Sequence, residues 1–498
     1  MEENRTTASL QDGSEIQRKA HPIKFGWVVS SIYKKAIKMA GINRFTVDAS
    51  KSSKVEGIFN ESVCGLVFDT SQRGYVFNGY PLALQNYGNN QIQVLGSMDD
   101  VVASGITENG IMNGVPYYHL KHFFTLAEKD SQEHYIYVVF ANCGSGFQVF
   151  NHIMQAVGKK VFQFGLWTER RIFETEGEEL VSPLLTQLYR DLFSFRSEFQ
   201  QSEEYDLDIP FNVLLCACPA ATRLVNTTVY ITDQEGSRLT DSADDGRLTA
   251  GIIPDNHAFG YRTLPSVRNF DIPGLSILLG QEKSDEVRSM QLKNVSETPV
   301  GCIGAALGVL TICPVEYHMN DNYNYSLKDI IPEAELGFGD DNTPISKINY
   351  IRRNELHNKG YIMLVDKDGF DGETFFSSDI TLGKRDFSNL MRCRTINKVH
   401  RIVRGTLLSQ VNAPHILNPS NGNISLSAAT YISNEIYRQI DAYMGIGWGL
   451  TGSAQLDSRR ISVPTDQDLV HGDSLKVEVE IKPADHTESI ILQEEVTQ

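Results

Sequence analysis

Short apolar runs of strand length, separated by segments of helical periodicity, constrain this chain more than any other feature. Tyr135-Ile-Tyr-Val-Val-Phe140 and Phe211-Asn-Val-Leu-Leu-Cys-Ala-Cys218 are rich in β-branched, aromatic and aliphatic residues, and Pro219 stops the second. Runs of this kind read as buried strands. Residues 58–68, 92–95, 161–167 and 275–279 read the same way. Between them lie helical stretches: 117–126 with Leu120, Phe123 and Phe124, then 147–157, 184–199, and the small-residue apolar stretch 300–312. Ser97 ahead of Met98-Asp-Asp100 has the chemistry of a helix N-cap. Strands alternating with helices predict an α/β (α+β) fold, with a mostly parallel mixed sheet and flanking helices.

The last third changes character. The helical segment after residue 390 carries Ile396, Val399, Ile402, Val403 and Leu407 on one face and Arg394, Lys398, Arg401 and Arg404 on the other. A second helix carries the stripe Ile432, Ile436, Ile440 and Tyr443, with Gly445 and Gly447 to end it. Leu475, Val477, Val479 and Ile481 then alternate with Lys476, Glu478, Glu480 and Lys482. This period of two predicts a half-buried strand, followed by a turn at 483–486 and a second run, Ile490-Ile-Leu492. A strand so placed is expected to have a free edge, which must be covered or paired, often by another chain.

At 498 residues the chain has room for two or three domains. The expected division is 1–54 as an N-terminal tail or arm, 55–345 as an α/β domain with an exposed insertion near 233–270, and 346–498 as a C-terminal domain ending in a strand arm at 474–498. Within the N-terminal part, Val28, Val29, Ile32, Ala36, Ile37 and Ala40 suggest a short helix that Gly41 would stop. The first twenty residues are polar without an apolar core, so no secretory signal is expected. No run of about 18 apolar residues is present, so no membrane insertion is expected. The net charge of −17 argues against nucleic acid as a partner. Seven scattered cysteines read as reduced thiols, mostly filling the core.

Chemistry-bearing patterns are sparse. Cys143 precedes Gly144-Ser-Gly146, but the spacing is not that of a nucleophile elbow. Cys216 and Cys218 are wrongly spaced for a zinc knuckle, and Glu316 and His318 do not make a zinc-protease helix. Asp366, Asp368, Asp371 and Glu373 cluster, but Gly369 and Gly372 are out of register with a calcium loop, so a charged turn is expected. An α/β enzyme with an acidic site at Asp366, Asp368 and Asp371 is the alternative that this cluster leaves open. Otherwise no catalytic, cofactor-binding or metal-ligating set is predicted. Charge distribution says more: residues 465–498 hold nine acidic and two basic residues, and residues 384–404 hold seven basic and one acidic. Opposite signs in two segments fit contact between them, within one chain or between copies.

The order of elements resembles the contractile tail sheath proteins of phages and related injection machines. In the N-terminal half the resemblance lies in Gly57-Ile-Phe, Val63-Cys-Gly-Leu-Val-Phe68, the strand at 92–95 running into Gly96-Ser-Met-Asp-Asp100, Phe123-Phe124, and Tyr135-Ile-Tyr-Val-Val139. In the C-terminal half it lies in Asn354-Glu-Leu-His-Asn-Lys-Gly-Tyr-Ile362, read as an Asn-rich turn before a strand. Cys393-Arg-Thr-Ile-Asn-Lys-Val-His-Arg-Ile-Val-Arg404 matches an Arg-rich helix, and Leu417-Asn-Pro-Ser-Asn421 a bend that here lacks the usual Glu. The closing strand-turn-strand completes it.

The resemblance implies a structural polymer without enzyme activity or cofactor. Its terminal strand arms would add to neighbouring subunits' sheets, giving hexameric rings stacked as a helical sleeve. The sleeve would surround an inner tail tube, join baseplate and tail terminator proteins, and contract to drive the tube through a target envelope. Assembly would take place in the bacterial cytoplasm, and the product would be a virion tail or an injection particle. A type VI-like large sheath subunit is the nearest variant, although that system divides its sheath between two chains. The expected subunit interface comprises Leu475, Val477, Val479, Ile481, Ile490, Leu492, Arg394, Lys398 and Arg401.

Overall fold

The computed structural model describes residues 23–30, 62–71, 76–77, 80–81, 92–108, 114–130, 134–157, 161–176, 179–201, 211–218, 266–279, 300–331 except 322, 337–338, 343–344, 350–384 except 368, 387–410, 414–445, 456–467, 469 and 474–483. The main strands are β1 (Ile23–Ser30), β2 (Cys64–Asp69), β3 (Ile92–Leu95), β4 (Ile136–Ala141), β5 (Gln163–Arg171), β6 (Asn212–Cys218), β7 (Leu275–Leu278), β8 (Tyr361–Ile362), β9 (Leu456–Ser462) and β10 (Ser474–Pro483). The α-helices are α1 (Met98–Ala103), α2 (Gly114–Ala127), α3 (Val149–Ala156), α4 (Pro183–Gln201), α5 (Ile303–Ile312), α6 (Tyr350–Lys359), α7 (Leu390–Leu408) and α8 (Leu426–Met444).

The first unit is a seven-stranded sheet in the order β8-β7-β6-β5-β2-β4-β3. All its pairings are parallel except β3 with β4 at one edge. β2 and β4 are apolar and buried along almost their whole length, as parallel strands covered on both faces must be. Neighbouring residues on β5 show the two covers. Phe164 lies 5.0 Å, centroid to centroid, from Phe150 of α3. A Cβ on Gly165 would stand 2.9 Å from Leu307 and 3.0 Å from Ile303, both on α5. Helix α5 is buried on every side, which explains its nearly polar-free sequence. It crosses α2 so closely that a Cβ on Gly304 would fall 1.9 Å from the His119 carbonyl oxygen. Only glycine fits that crossing. Ser97 caps α1 as its sequence suggests, accepting from Asp100 N at 3.2 Å.

The second unit is small. β10 runs between β1 and β9, antiparallel to both. Helices α7 and α8 cover one face of this three-stranded sheet. Ile396, Val399, Ile402, Val403 and Leu407 of α7 and Ile432, Ile436, Ile440 and Met444 of α8 close on Leu475, Val477, Val479 and Ile481. Ser425 caps α8 at one end, and Gly445, at φ 79°, ends it. The two apolar cores meet within α7, since the first runs from Val63 to Leu390 and the second from Ile396 to Ile481. Residues 356–390 therefore pack with the sheet domain, so the second unit begins later than residue 346.

Two local expectations are corrected. Val28 and Val29 belong to strand β1, not to a helix, because eight successive residues find partners on β10. Residues 32–40 of that expected helix lie outside the described residues, as do 233–265 of the expected insertion. The Asn-rich stretch at 354–358 is the second half of helix α6, not a turn. It is followed by β8 and a two-residue ladder between Leu364–Val365 and Phe375–Phe376.

Candidate assembly interface

The alternating strand at 474–483 forms as expected, and its inner face is as the spacing requires: Leu475, Val477, Val479 and Ile481 are buried, while Lys476 and Glu478 are exposed. The expectation of a free edge on this strand is corrected. β10 is the central strand, with both backbone edges engaged. On one side β1 pairs from Ile23↔Ile481 to Ser30↔Ser474. On the other side β9 pairs as far as Ser462↔Glu478, and beyond it the Gln467 side chain takes over. Its Nε2 donates to Lys476 O at 3.0 Å, and its Oε1 accepts from Lys476 N. The side chain thus stands in for one more residue of strand. The four apolar side chains are spent on α7 and α8 within the chain, so any contact with another subunit runs through backbone and outer-face groups. Ile490 and Leu492 lie outside the described residues.

The alternating signal also exists in β1, where Ile23, Phe25, Trp27 and Val29 recur at every second position. The sequence reading missed it because Val28, Val29 and Ile32 also fit a helical spacing. A period-two count over 23–30 would have found it.

The basic face of α7 is a second correction. Arg394, Lys398 and Arg401 are buried against the chain's own first unit, not displayed for a neighbour. Arg394 donates to Leu310 O at 3.0 Å, Cys313 O at 2.6 Å and Pro314 O at 3.4 Å. These carbonyls mark the C-terminal end of α5, where the partial negative charge of the helix favours a cation. About two turns further along, the Arg401 guanidinium lies 3.7 Å from the centre of the Phe162 ring. Asn397 Nδ2 reaches Asn212 Oδ1 at 3.5 Å, at the start of β6. Asp379 anchors the start of α7, accepting from Met391 N at 3.0 Å and pairing with His318 Nδ1 at 2.8 Å. Both faces of α7 are therefore used within the chain. The apolar face closes the small core, and the basic face docks that core on the large sheet. Spacing alone identifies two faces without saying what each one meets.

A parallel α/β sheet commonly binds its ligand beyond the carboxyl ends of the strands, where the chain switches direction. Here β4 and β5 flank β2, so that point lies at Asp69. The carboxylate is buried and taken up by internal donors: Cys143 N at 3.0 Å, Ser71 N at 2.9 Å, Ser71 Oγ at 3.0 Å and Thr168 Oγ1 at 2.7 Å. Arg170 closes the group by donating to Cys143 O at 3.1 Å. Asp191 of α4 accepts from Phe147 N at 2.7 Å. Burial, reinforced by the charge of Asp69, pushes the Cys143 thiol well above the ordinary thiol range. A thiol held protonated is a poor nucleophile. The groups at this switch point tie three strand ends together.

The acidic cluster is dispersed. Asp366 pairs with Arg353 at 2.5 Å, Glu373 pairs with Lys328 at 3.2 Å, Asp371 is exposed, and Asp368 lies outside the described residues. Among the described residues, no three His, Cys, Asp or Glu side chains group so as to hold a metal ion. No helix among them is long and apolar enough to cross a membrane.

A family profile described as DUF2586, C-terminal domain, matches residues 386–496, which span α7 to β10. No curated protein matches the chain in sequence. Several solved structures are similar to it. A chain of the anti-feeding prophage baseplate, 6-fold symmetrised, is 11% identical with a TM-score of 0.49, covering 88% of this chain and 94% of its own. A chain of the anti-feeding prophage helical sheath in its contracted state is 11% identical with a TM-score of 0.47, covering 87% and 93%. A chain of the contracted sheath complex of an extracellular contractile injection system is 11% identical with a TM-score of 0.45, covering 87% and 91%.

Proposed function

We propose that this chain is the structural subunit of a contractile tail sheath, polymerising helically around an inner tube and shortening to drive that tube through a target envelope. The observation that carries the reading is the pairing of β1 with β10. These strands come from opposite ends of the sequence and join in an eight-residue antiparallel ladder. Residues 31–61 separate Ser30 from Ser62, enough chain for a maximum reach of roughly 100 Å. A strand separated from the first sheet by that many residues can pair with its own β10 or with that of a second copy. Exchange between copies links subunits through backbone hydrogen bonds, each worth roughly 0.5–1.5 kcal/mol net, without opening either core.

The rest of the chain suits a rigid element in such a sleeve. The switch point is closed by its own hydrogen bonds, and α7 locks the strand-bearing unit to the sheet domain. The partners are further copies of the chain, an inner tube and a baseplate, and the site of assembly is the bacterial cytoplasm. An enzyme working at Asp366, Asp368 and Asp371 is disfavoured, because Asp366 is held by Arg353 and Asp371 stands exposed.

Negative-stain microscopy of the purified full chain tests the proposal. Striated hollow tubes are expected as concentration rises, and a small discrete oligomer at every concentration would overturn it. Removing residues 1–30 should leave a folded, soluble protein that forms no tubes. Full-length tubes from that truncated chain would show that β1 is not the link.

A further inference from the structure

The small unit leaves one of its ends apolar. Helix α8 runs alongside β9: the Tyr437 hydroxyl accepts from Ile461 N at 2.9 Å, and one turn later Asp441 pairs with Arg459. Ile461 lies opposite Val479 and Arg459 opposite Ile481, so α8 advances toward the Pro483 end of β10 and begins at the Ser474 end. At that beginning Leu426 is 73% and Tyr431 62% exposed. Ile416, whose carbonyl accepts from Ser425 N at 3.0 Å, is 68% exposed. Exposed apolar side chains grouped in this way mark contact surfaces, whereas scattered ones do not. The same end is tied to β10, since Ile424 N donates to Gln467 O at 3.0 Å and the Gln467 side chain holds Lys476. It is also where β1 stops, with Ser30 opposite Ser474.

The chain that leaves β1 at this point, Ser31-Ile-Tyr-Lys-Lys-Ala-Ile-Lys-Met-Ala-Gly41, lies outside the described residues. Its sequence is amphipathic. At 100° per residue, Ile32, Tyr33, Ala36, Ile37, Met39 and Ala40 fall within about 160° of arc, and Lys34, Lys35 and Lys38 fall on the opposite side. The positive charge has a counterpart at the same end of the unit. Residues 466–473, which lead into β10, hold three aspartates and no lysine or arginine, and Asp466 among them is exposed. Distance agrees as well. Gln467 stands two strand positions from β1, roughly 10 Å, and nine helical residues span about 14 Å. We infer that residues 32–40, following the β1 that occupies this sheet, dock as a short amphipathic helix on the apolar end at Ile416, Leu426 and Tyr431. The lysines then face the acidic connection that precedes β10. The inference holds whichever copy supplies β1, so it stands apart from the exchange reading above. Its consequence is a joint in two parts. A backbone ladder sets the register of β1, and an apolar contact beside it holds the chain that continues toward the large sheet.

Thiol labelling of the full chain tests this. In a Leu426→Cys chain the new thiol should be shielded from a bulky maleimide, with labelling at position 426 read by mass spectrometry. Adding Ile32→Asp and Ile37→Asp should raise the labelling rate roughly tenfold or more, because two isoleucines are lost from the contact. Lys34→Glu with Lys38→Glu should raise it less, by a factor that shrinks as salt is added. Equal rates with and without the two aspartates would overturn the inference. Fast labelling in both chains would mean that this end is open. Slow labelling in both would mean that something else covers it: the chain after Pro483, the same patch of a second copy, or another protein. Amide exchange of the unchanged chain avoids any effect of the substitutions on folding. The amides of residues 33–40 should exchange roughly tenfold or more slowly than those of a free peptide spanning 31–41. Exchange as fast as in the peptide would overturn the docking, and protection that persisted at residues 23–30 would show the β1–β10 ladder standing without it.

Discussion

The two larger sheets among the described residues use backbone pairing for different ends. In the seven-stranded sheet, both faces are covered, and the carboxyl ends are tied through Asp69 to Cys143, Ser71 and Thr168. In the three-stranded sheet, one face is covered by two helices and the other carries the exposed Lys476 and Glu478. One of its strands comes from the far end of the sequence. The first sheet is self-contained, and the second is completed by a strand that precedes the first sheet's opening strand by more than thirty residues. The difference suggests a division of labour. A subunit that must carry force needs a body that does not deform and a joint that can be shared, and here they are separate sheets. Helix α7 couples the two, with one face in each.

The largest effect is expected where the first sheet's cover is tightest. Gly304→Ala would place a methyl group 1.9 Å from the His119 carbonyl oxygen, and neither helix backbone can give way without moving the helix. Destabilisation of about 3 kcal/mol is expected, read as a fall in the urea midpoint. An unchanged midpoint would mean that α2 and α5 stand further apart than described here.

Next in size is the coupling. Arg394→Ala would leave the carbonyls at the end of α5 without their donor, at a cost of about 2–3 kcal/mol. Arg394→Lys should recover only part of this, because an ammonium cannot reproduce the fork of a guanidinium. A folded, fully stable Arg394→Ala protein that had lost only assembly would place this arginine at a subunit contact, reversing the correction made above.

Much of this was legible in the sequence, and the residues show why the rest was not. Burial on both faces leaves continuous apolar runs, so 136–141 and 212–218 could be read directly. The α7 and α8 stripes and the Ser97 cap were equally plain, since each is set by local spacing. What could not be read was the partner. Leu475 to Ile481 declare a face without naming what covers it, and Arg394 and Arg401 look the same whether they meet water, a neighbour or the end of α5. β1 was hidden because eight residues with adjacent valines fit two periods. The Gln467 and Tyr437 contacts depend on groups distant in sequence or on another element, which no local pattern encodes.

A pH titration sharpens the comparison on the side of the large sheet. His119 is fully buried between α5 and Phe68, and burial, then neighbouring His122, holds its ring at about 3, below the ordinary 6.5. Its Nδ1 lies 3.4 Å from Gly304 N, the geometry of an acceptor in the neutral ring. Since the folded state resists the proton that the unfolded chain accepts, stability is complete above about pH 6.5 and declines as pH falls from there toward 3. The loss attributable to this group is about 2 kcal/mol by pH 5. His119→Asn keeps an acceptor near Gly304 N and removes the titration. Its urea midpoint should therefore vary less between pH 7.5 and 5 than that of the unchanged protein, and an equal slope would assign the acid sensitivity elsewhere.

The smallest effect on the fold is expected on the outer face of the small sheet. Glu478 is exposed on β10, and its carboxylate accepts from Ser462 Oγ of β9 at 3.3 Å. Glu478→Lys should therefore shift stability by no more than about 0.5 kcal/mol, since water solvates either charge and no core contact changes. If this face meets other copies, the same change should alter how assembly depends on salt, because exposed charges are screened over about 8–10 Å near physiological ionic strength. The two measurements together separate the roles of the sheet. A near-constant urea midpoint with a changed salt profile in light scattering identifies the outer face as a contact between subunits. A large drop in the midpoint would show that the face is covered within the chain, and the distinction between a closed body and a shared joint would then fail at β10.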